Sequence, residues 1–576
     1  MNTVFKNRIF AVASLFAMLF IAPSCEDNIG IQVTPEAPNA DKTLYEVITN
    51  DNDLTDFVEV LNACNIPSEK DADKIISVAD SLFNTSRVYT VWAPMNGSFD
   101  KDSVLERIQA GYRDEVFKTF VCSHVANFLK PAKGRFDEEG ELVLMLNEKK
   151  LLFAGSYNED EGGYTFGGVK LYSVNDRVKN GIIHKLESVS EYEYNIWEYI
   201  RLYADNSTVL KVDSFVNYLY SYNDTVYPDY LRTPGPIVAG VQTYLDSVPK
   251  IENEMLARSG MLINNEDSLY TFYIPTNEAW EHMIARAEKH FNYAITQNTD
   301  TAFIDSIRFY HTRYNLIKYL AYSQKEQRYV KAPDSIMPIG YGNRRKMFAL
   351  ADVENSVVET KELSNGTLKI VNEYPYSIFD LWHDTIKVEA EDTYYIDDEK
   401  TTMSLLKTYT VYDKEINKEA GEKLSGTRYI VFGDEDDNKT SMEYRIPNIK
   451  SATYIVYLIT VPRNIRDSKL DLSKDETPRI NCYVSGTDPK DGKVKTLLSK
   501  KNLYPAKEKI DTIEVDTVTF RACEYQFTNK VKEYTTKVKV TGETAKSNKT
   551  YSNTIRLDAI LLVPIDEEAK KDKDAE

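Results

Sequence analysis

Two stretches of the chain repeat one pattern: YTVWAPMNGSF, from Tyr89 to Phe99, and YTFYIPTNEAW, from Tyr270 to Trp280. Each is a run of strand-favouring residues halted by a proline and followed by an asparagine and an amphipathic segment. Proline has no N–H to give a ladder, so each strand must stop at Pro94 or Pro275. A second pair of stretches follows, NGIIHKL from Asn180 and NGTLKIV from Asn365. Proline and asparagine are 86 residues apart in the first copy (94 to 180) and 90 in the second (275 to 365). Matching separations require two copies of one strand-and-helix unit. Within it, Asn96 and Asn277 are read as caps for the helix that follows. Asn180-Gly181 and Asn365-Gly366 are read as positive-φ turns leading into a strand.

The surrounding segments agree. Leu54, Phe57, Val58, Val60 and Leu61 recur at helical spacing before the first box, and STVLKVDSFVNYLYSY plays the same part before the second. This arrangement resembles the fasciclin-like domain. Thr90, Ala93, Pro94, Asn96 and Phe99 match the first signature box of that family, and Asn180 to His184 match the second. In copy two, Pro275, Asn277 and Trp280 match the first box, and Asn365 and Gly366 the second. Ser123-His124 stands where the family has a Tyr-His pair. Copy two has Ser323 in place of His124 and Lys369 in place of His184. The two histidines are either a ligand pair or buried groups bridging strands. The second reading is preferred because copy two lacks both. The resemblance implies two α/β domains, 43–194 and 195–383, with adhesion or interaction roles.

From Asp384 the texture changes to short strands without helices, such as TYIVYLITVP and PRINCYV, which indicates an antiparallel β-sandwich. VEAED near its start, SATYIVYLITVP and the closing IRLDAILLVP resemble strands of carbohydrate-binding modules with a galactose-binding-like jelly roll. The fold class is therefore multidomain α+β: two fasciclin-like domains, then a sandwich over 384–566 and a disordered tail over 567–576. In such modules the end strands often share a structural calcium. The resemblance assigns that role to Glu389, Glu391 and Asp558, the plainer alternative being solvent-facing acids on an edge strand. Glu389 and Glu391, two apart, are expected on one sheet face. Tyr394, Tyr395, Tyr409, Tyr412, Tyr483 and Tyr504 are either aromatic faces for sugar or core tyrosines, the latter being the commoner case. The sandwich is expected to fold alone and to carry the glycan affinity.

At the N-terminus, Lys6 and Arg8 precede a short apolar run and APSC, which places small residues before Cys25. The run is short for a membrane span and has the flanks of an export signal. It resembles a lipoprotein lipobox, which implies a signal over 1–24, an acylated Cys25 and a lipidated tether over 25–42. Glu26 and Asp27 resemble the surface-export signal of Bacteroidetes lipoproteins. The formal charge of −19 becomes −21 once Lys6 and Arg8 leave, which disfavours nucleic acid as a partner. Cys64, Cys122, Cys482 and Cys523 form no C-x-x-C; they are either two disulfides or buried thiols. The six histidines are scattered, without H-E-x-x-H, and G-x-S-x-G and a phosphate loop are absent.

The expectation is a protein that is not an enzyme, with no catalytic residue and no catalytic cofactor. It is lipid-anchored in the outer membrane and faces the cell exterior. It binds glycan or a protein partner, as an accessory to a SusC/SusD-like transporter complex. An adhesin for host matrix or other cells, and a polysaccharide-degrading enzyme, are the alternatives.

Overall fold

The computed structural model describes residues 38–566, leaving aside 68–74, 85–86, 159, 161, 228–233, 239, 245–249, 295–299, 328–329, 331–333, 340–346, 375, 378, 380–383, 398–406, 411–423, 434–439, 467–469, 474–476, 529–530 and 543–549. Cys25, Tyr412 and the tail therefore lie outside the described residues. The chain is mixed α/β, dominated by sheet, and forms two compact units, Met1–Glu193 and Tyr194–Glu576.

In the first unit, helices α1 (Leu44–Thr49) and α2 (Thr55–Ala63) precede strand β1 (Tyr89–Pro94). Strands β2 (Val125–Asn127), β3 (Glu141–Leu144), β4 (Lys150–Gly155), β5 (Tyr164–Phe166), β6 (Val169–Val178) and β7 (Gly181–Leu186) complete a seven-stranded sheet of order β2-β1-β7-β6-β5-β4-β3. The two boxes of the sequence are its central parallel pair, in register from Tyr89↔Gly181 to Pro94↔Leu186. Alternation along β1 feeds two cores. Tyr89, Val91 and Ala93 join the helices, whereas Trp92 packs among Phe153, Phe166 and Leu171.

The second unit opens with the same construction: α3 (Ile196–Asn206), α4 (Asp213–Tyr220), β8 (Tyr270–Pro275), α5 (Asn277–Ala287), α6 (Thr301–Ile317), β9 (Ala321–Ser323), β10 (Val357–Leu363) and β11 (Gly366–Val371). Its sheet order is β9-β8-β11-β10, and β8 and β11 run parallel from Tyr270↔Gly366 to Pro275↔Val371, the register of the first copy.

The sandwich follows. One sheet holds β12 (Ile386–Glu389), β13 (Lys407–Thr410), β14 (Arg428–Phe432), β16 (Thr453–Thr460), β19 (Asp511–Thr519) and β21 (Ile555–Pro564). The other is β15-β20-β17-β18, built from β15 (Thr440–Arg445), β17 (Ile480–Thr487), β18 (Val494–Leu503) and β20 (Lys537–Gly542). Second repeat and sandwich share one continuous apolar core. They also meet at a joint made by residues after α5. Ser451 N donates to His290 O (3.0 Å), Cys523 N to Asn292 O (2.8 Å), and Tyr293 Oη to Tyr525 O (2.8 Å). Phe291, Tyr293, Ile304 and Cys523 bury one another there. A sandwich over 384–566 that stands free of the second repeat is thus not what the structure presents. All four described cysteines are free, buried thiols, their pKa values pushed up to about 11 for Cys64 and about 12 for the others by burial.

The two box asparagines do something other than cap the next helix. Asn277 is the first residue of α5, whose cap is Thr276. Its Oδ1 instead accepts from Ser214 N (2.9 Å), and its own N–H reaches Lys211 O (2.8 Å). Asn96 likewise accepts from Asp56 N (2.9 Å) and donates to Asn52 O (2.7 Å). Helices α2 and α4 start after Leu54 and Val212, which have no side-chain oxygen to offer. The box lends them a cap across the fold. Asn277→Ala is therefore expected to cost about 1–2 kcal/mol in a urea melt, and Thr276→Ala about 1.

Asn180 and Asn365 also hold helix starts, accepting from Leu44 N (2.7 Å) and Ile196 N (2.8 Å). The expected positive φ occurs at Gly366 (136°) and not at Gly181. What both glycines share is a close approach: a Cβ on either would fall on the carbonyl oxygen of Tyr89 or Tyr270 across the parallel pair.

Candidate functional site

Among the described residues, three features bear on a site. The first is the pair of histidines of the first repeat, His184 in its second box and His124 between the boxes. His184 is fully buried, its Nδ1 accepting from Asn175 N (3.3 Å) and its Nε2 facing Lys130 O (3.0 Å). The ring lies over Trp92, centroids 5.3 Å apart. His124 donates through Nδ1 to Phe120 O (2.7 Å) and packs against Phe57 and Phe120. The two sit in different cores. In copy two, Lys369 takes the register place of His184, opposite Tyr273, and its Nζ pairs with Glu354 at 2.6 Å.

Burial pushes both imidazoles down to about 4. A base with a lowered folded pKa contributes stability above its ordinary value of 6.5 and loses it as pH falls toward 4. Each histidine is worth on the order of 3 kcal/mol over that window. Acid melts of the wild type should steepen between pH 6.5 and 4, and His184→Gln should flatten part of that slope. A stability profile that stays flat from 6.5 to 4 would refute this.

The second place is the seam where the first sandwich strand meets the last. Strand β12 pairs with β21 from Ile386↔Leu562 to Glu389↔Ala559, and β14 takes over the same edge from Ile430↔Leu557. On the other side, β16 has its register shift between Ile459↔Ala559 and Thr460↔Leu557. Asp558 falls in both gaps, and the bulge turns it into the interior, where it is fully buried. Ser425 N donates to its Oδ2 (2.8 Å), and Ser425 Oγ donates to Glu389 Oε1 (2.7 Å). Lys387 Nζ holds Glu389 at 2.6 Å, and Arg428 stands 3.8 Å from Glu391. Glu391 lies past the end of β12, in a turn, so it reaches the cluster from outside the strand and not by alternation along it.

Each carboxylate keeps one buried oxygen without a hydrogen-bond partner: Glu389 Oε2, Glu391 Oε2 and Asp558 Oδ1. Burial, then the neighbouring Glu389 and Glu391, push Asp558 up to about 7, and burial also raises Glu391. The contrast with Asp397 is instructive. That buried acid is matched by Arg445 (3.1 Å) and Lys537 (2.6 Å). Among the described residues no three His, Cys, Asp or Glu side chains stand close enough together to hold a metal ion as they are. The three acids therefore meet the chemistry of a hard cation in donor type and in unmet acceptors, and would have to draw in around it.

The third place had no signal in the sequence beyond scattered basic residues. A shallow groove at one end of the sandwich is walled by Pro462, Pro478 and Pro505 and carries Arg463, Lys507 and Arg556. Beside it, the Arg479 guanidinium lies 4.6 Å from the Tyr551 ring centroid, and Tyr504 packs on Tyr551 at 5.8 Å. Of the tyrosines singled out from sequence, Tyr504 and Tyr394 are exposed, while Tyr395, Tyr409 and Tyr483 are half-buried. Tyr409 is stacked on Tyr429 and has its ring face occupied.

No protein-family profile matches the chain, and no curated protein matches it in sequence. Among solved structures, a FAS1 domain pair from the insect cell adhesion molecule fasciclin I is similar at 10% identity, covering 58% of this chain and 97% of that one, with a TM-score of 0.18. A non-crystalline-cellulose-specific carbohydrate-binding module, CBM28, is similar at 10% identity over 31% of this chain and 95% of that one, with a TM-score of 0.14. A Paenibacillus xanthan lyase is similar at 11% identity and a TM-score of 0.21; the match spans 36% of this chain and 18% of the lyase. The structural neighbours thus include a FAS1 pair and a carbohydrate-binding module, and superpositions this loose carry no argument about a site.

Proposed function

We propose that the chain is a non-catalytic, lipid-anchored binding protein of the outer-membrane surface, whose sandwich engages glycan beside a structural calcium. The fasciclin-like repeats supply interaction faces, and the chain acts as an accessory to a SusC/SusD-like uptake system. The anchor and the surface location rest on APSC before Cys25 and on Glu26 and Asp27 after it. The observation that carries the sandwich's role is the seam of Glu389, Glu391 and Asp558. Three buried carboxylate oxygens without partners are costly, and a cation is the group that would offset them. Calcium accepts oxygen ligands in flexible numbers and geometry, so it suits acids that must close around it. These residues would bind the ion; it would fix the first strand to the last and hold the sandwich's end loops in place. A binder rather than an enzyme is favoured because His124 and His184 are each fully buried, in separate cores.

The test uses the full chain on a glycan array, with and without chelator, beside thermal melts in calcium. A ligand at a hundredfold excess over its Kd adds about 2.7 kcal/mol, so the melt should rise by several degrees. Asp558→Asn should stabilise the calcium-free protein and erase the calcium response. No calcium shift in the wild type would remove the metal, an array without signal would remove the glycan reading, and turnover of any bound glycan would make the protein an enzyme.

A further inference from the structure

One outward face of the first unit is apolar. Leu142 and Leu144 are two apart on β3 and share a side of the sheet, and Leu152 stands opposite Leu142 on β4. Val143, between them, turns into the core. The segment after β2 is tied to the same strand at both ends. Ala126 bridges to Met145, Leu146 N donates to Val125 O (2.9 Å), and Lys130 Nζ pairs with Glu141 Oε1 (3.1 Å). Phe128 and Leu129 lie between those ties. The five apolar side chains are from 41% to 74% exposed. Exposed apolar residues are ordinary one at a time, but five gathered at one sheet edge mark a surface that meets something.

Phe128 is held outward. Its φ is 68°, uncommon for a bulky residue. Its N–H donates to Val88 O (3.0 Å), its carbonyl accepts from Thr90 Oγ1 (2.8 Å), and Lys130 N donates to that same Oγ1 (2.9 Å). These bonds fix the turn, so the ring is presented to solvent at a backbone cost that no packing in the unit repays.

The place where the chain enters the unit favours one occupant. The described residues begin at 38. Asn39 Nδ2 donates to Asp176 Oδ2 (3.2 Å) on β6, and the adjacent Asn175 exchanges two bonds with Ala132, at 2.8 and 2.9 Å. The chain ahead of Asn39 therefore joins the unit beside the loop that carries Phe128 and Leu129. Cys25 is 13 residues before residue 38 (38 − 25), a reach of at most about 45 Å. A short link to an acylated residue keeps this face near lipid at an effective concentration in the millimolar range, so even a weak apolar contact is engaged much of the time. The neighbouring charges are spent within the unit, since Lys130 and Lys133 both pair with Glu141. With a net charge of −19 on the chain, attraction to lipid here is apolar and not ionic.

We propose that Phe128, Leu129, Leu142, Leu144 and Leu152 form a resting face that sinks into the interface of the bilayer to which Cys25 is anchored. The inference rests on the lipid-anchored reading and gives it an orientation: the first unit lies against the lipid and does not swing on its link.

The experiment places a reporter, Phe128→Trp, in the full acylated chain and reconstitutes it in vesicles of phosphatidylcholine brominated on the acyl chains. Bromine quenches tryptophan that reaches it, and the parent chain's Trp92 and Trp280 are buried. The expected result is quenching well beyond the parent's, unchanged by salt. Adding Leu129→Asp and Leu142→Asp should cut the engaged fraction about tenfold or more, with melting unchanged, because both positions are exposed. Phe128→Asn suits the positive φ, so in a Cys25→Ser chain it should melt no lower while adsorbing to the same vesicles about tenfold less. Quenching no greater than the parent's would overturn the proposal. Reporter emission already blue-shifted without lipid would also overturn it, since another part of the chain or a second copy would then cover the face. Mass spectrometry that finds no acyl chain on Cys25 would remove the anchor. The Cys25→Ser reporter at millimolar lipid then decides the face by itself: quenching keeps it, and none removes both.

Discussion

Tyr293→Ala should cost the second unit about 3–5 kcal/mol, the range for deleting a large aromatic from a core. Its ring is 1% exposed and packs beside Phe527 and His311, and its hydroxyl donates to Tyr525 O. Removing it leaves a cavity and a carbonyl without its donor where the second repeat meets the sandwich. The neighbourhood is ill suited to water. Lys450 is buried there, its Nζ 4.4 Å from the Tyr525 ring, and burial pushes its ammonium down to about 8. Urea melts followed by tryptophan emission and by limited proteolysis should both shift. The same reasoning applies to fragments. Residues 194–566 should melt cooperatively, whereas 384–566 alone bares Cys523, Tyr525 and the matching stretch of apolar core, and should aggregate or melt far lower. A fragment from 384 that melts like the longer one, or a Tyr293→Ala loss below about 1 kcal/mol, would show that the joint is only contact.

Gly366→Ala is the other severe case. A methyl there would strike the Tyr270 carbonyl, which is backbone and cannot turn aside, and φ of 136° is strained for any L side chain. The loss should be at least about 3 kcal/mol. Gly181→Ala meets the corresponding carbonyl of Tyr89 and the side chain of Leu44, but its φ is ordinary. It should therefore cost less than Gly366→Ala. Paired melts of the two variants give the comparison, and equal losses would mean that the backbone angle contributes nothing.

The parts of this fold that the sequence announces are those where one residue type has no substitute. Proline at a strand end and Asn-Gly ahead of a strand are such places, so the two strands of each central pair could be located in both copies, whereas their parallel pairing and the facing carbonyl at each glycine appear only in the fold. The role of Asn96 and Asn277 is not legible in the sequence, because a cap bond looks local there. Here it spans 40 residues in one copy and 63 in the other. The acids of the seam were visible as a pair and a distant third, but Asp558 is turned inward by a bulge between β16 and β21 that no periodicity reveals. Arg463, Lys507 and Arg556 lie on a turn, a connection and a strand far apart in the chain, and only the closing of the sandwich brings them together. The joint around Tyr293 had no signal either, since HFNYAI reads as an ordinary helix exit.

That joint also bears on how such a chain can be assembled by recombination. A crossover at Glu193–Tyr194 leaves each compact unit whole, so the first repeat is free to be gained, lost or exchanged as a cassette. A crossover ahead of Asp384 separates Tyr293 from Cys523 and splits a shared core, and both products inherit an exposed apolar wound. Selection should therefore pass the second repeat and the sandwich on as one hereditary block. Relatives that carry this sandwich should keep an aromatic in the place of Tyr293, even where the repeat in front of it has been replaced.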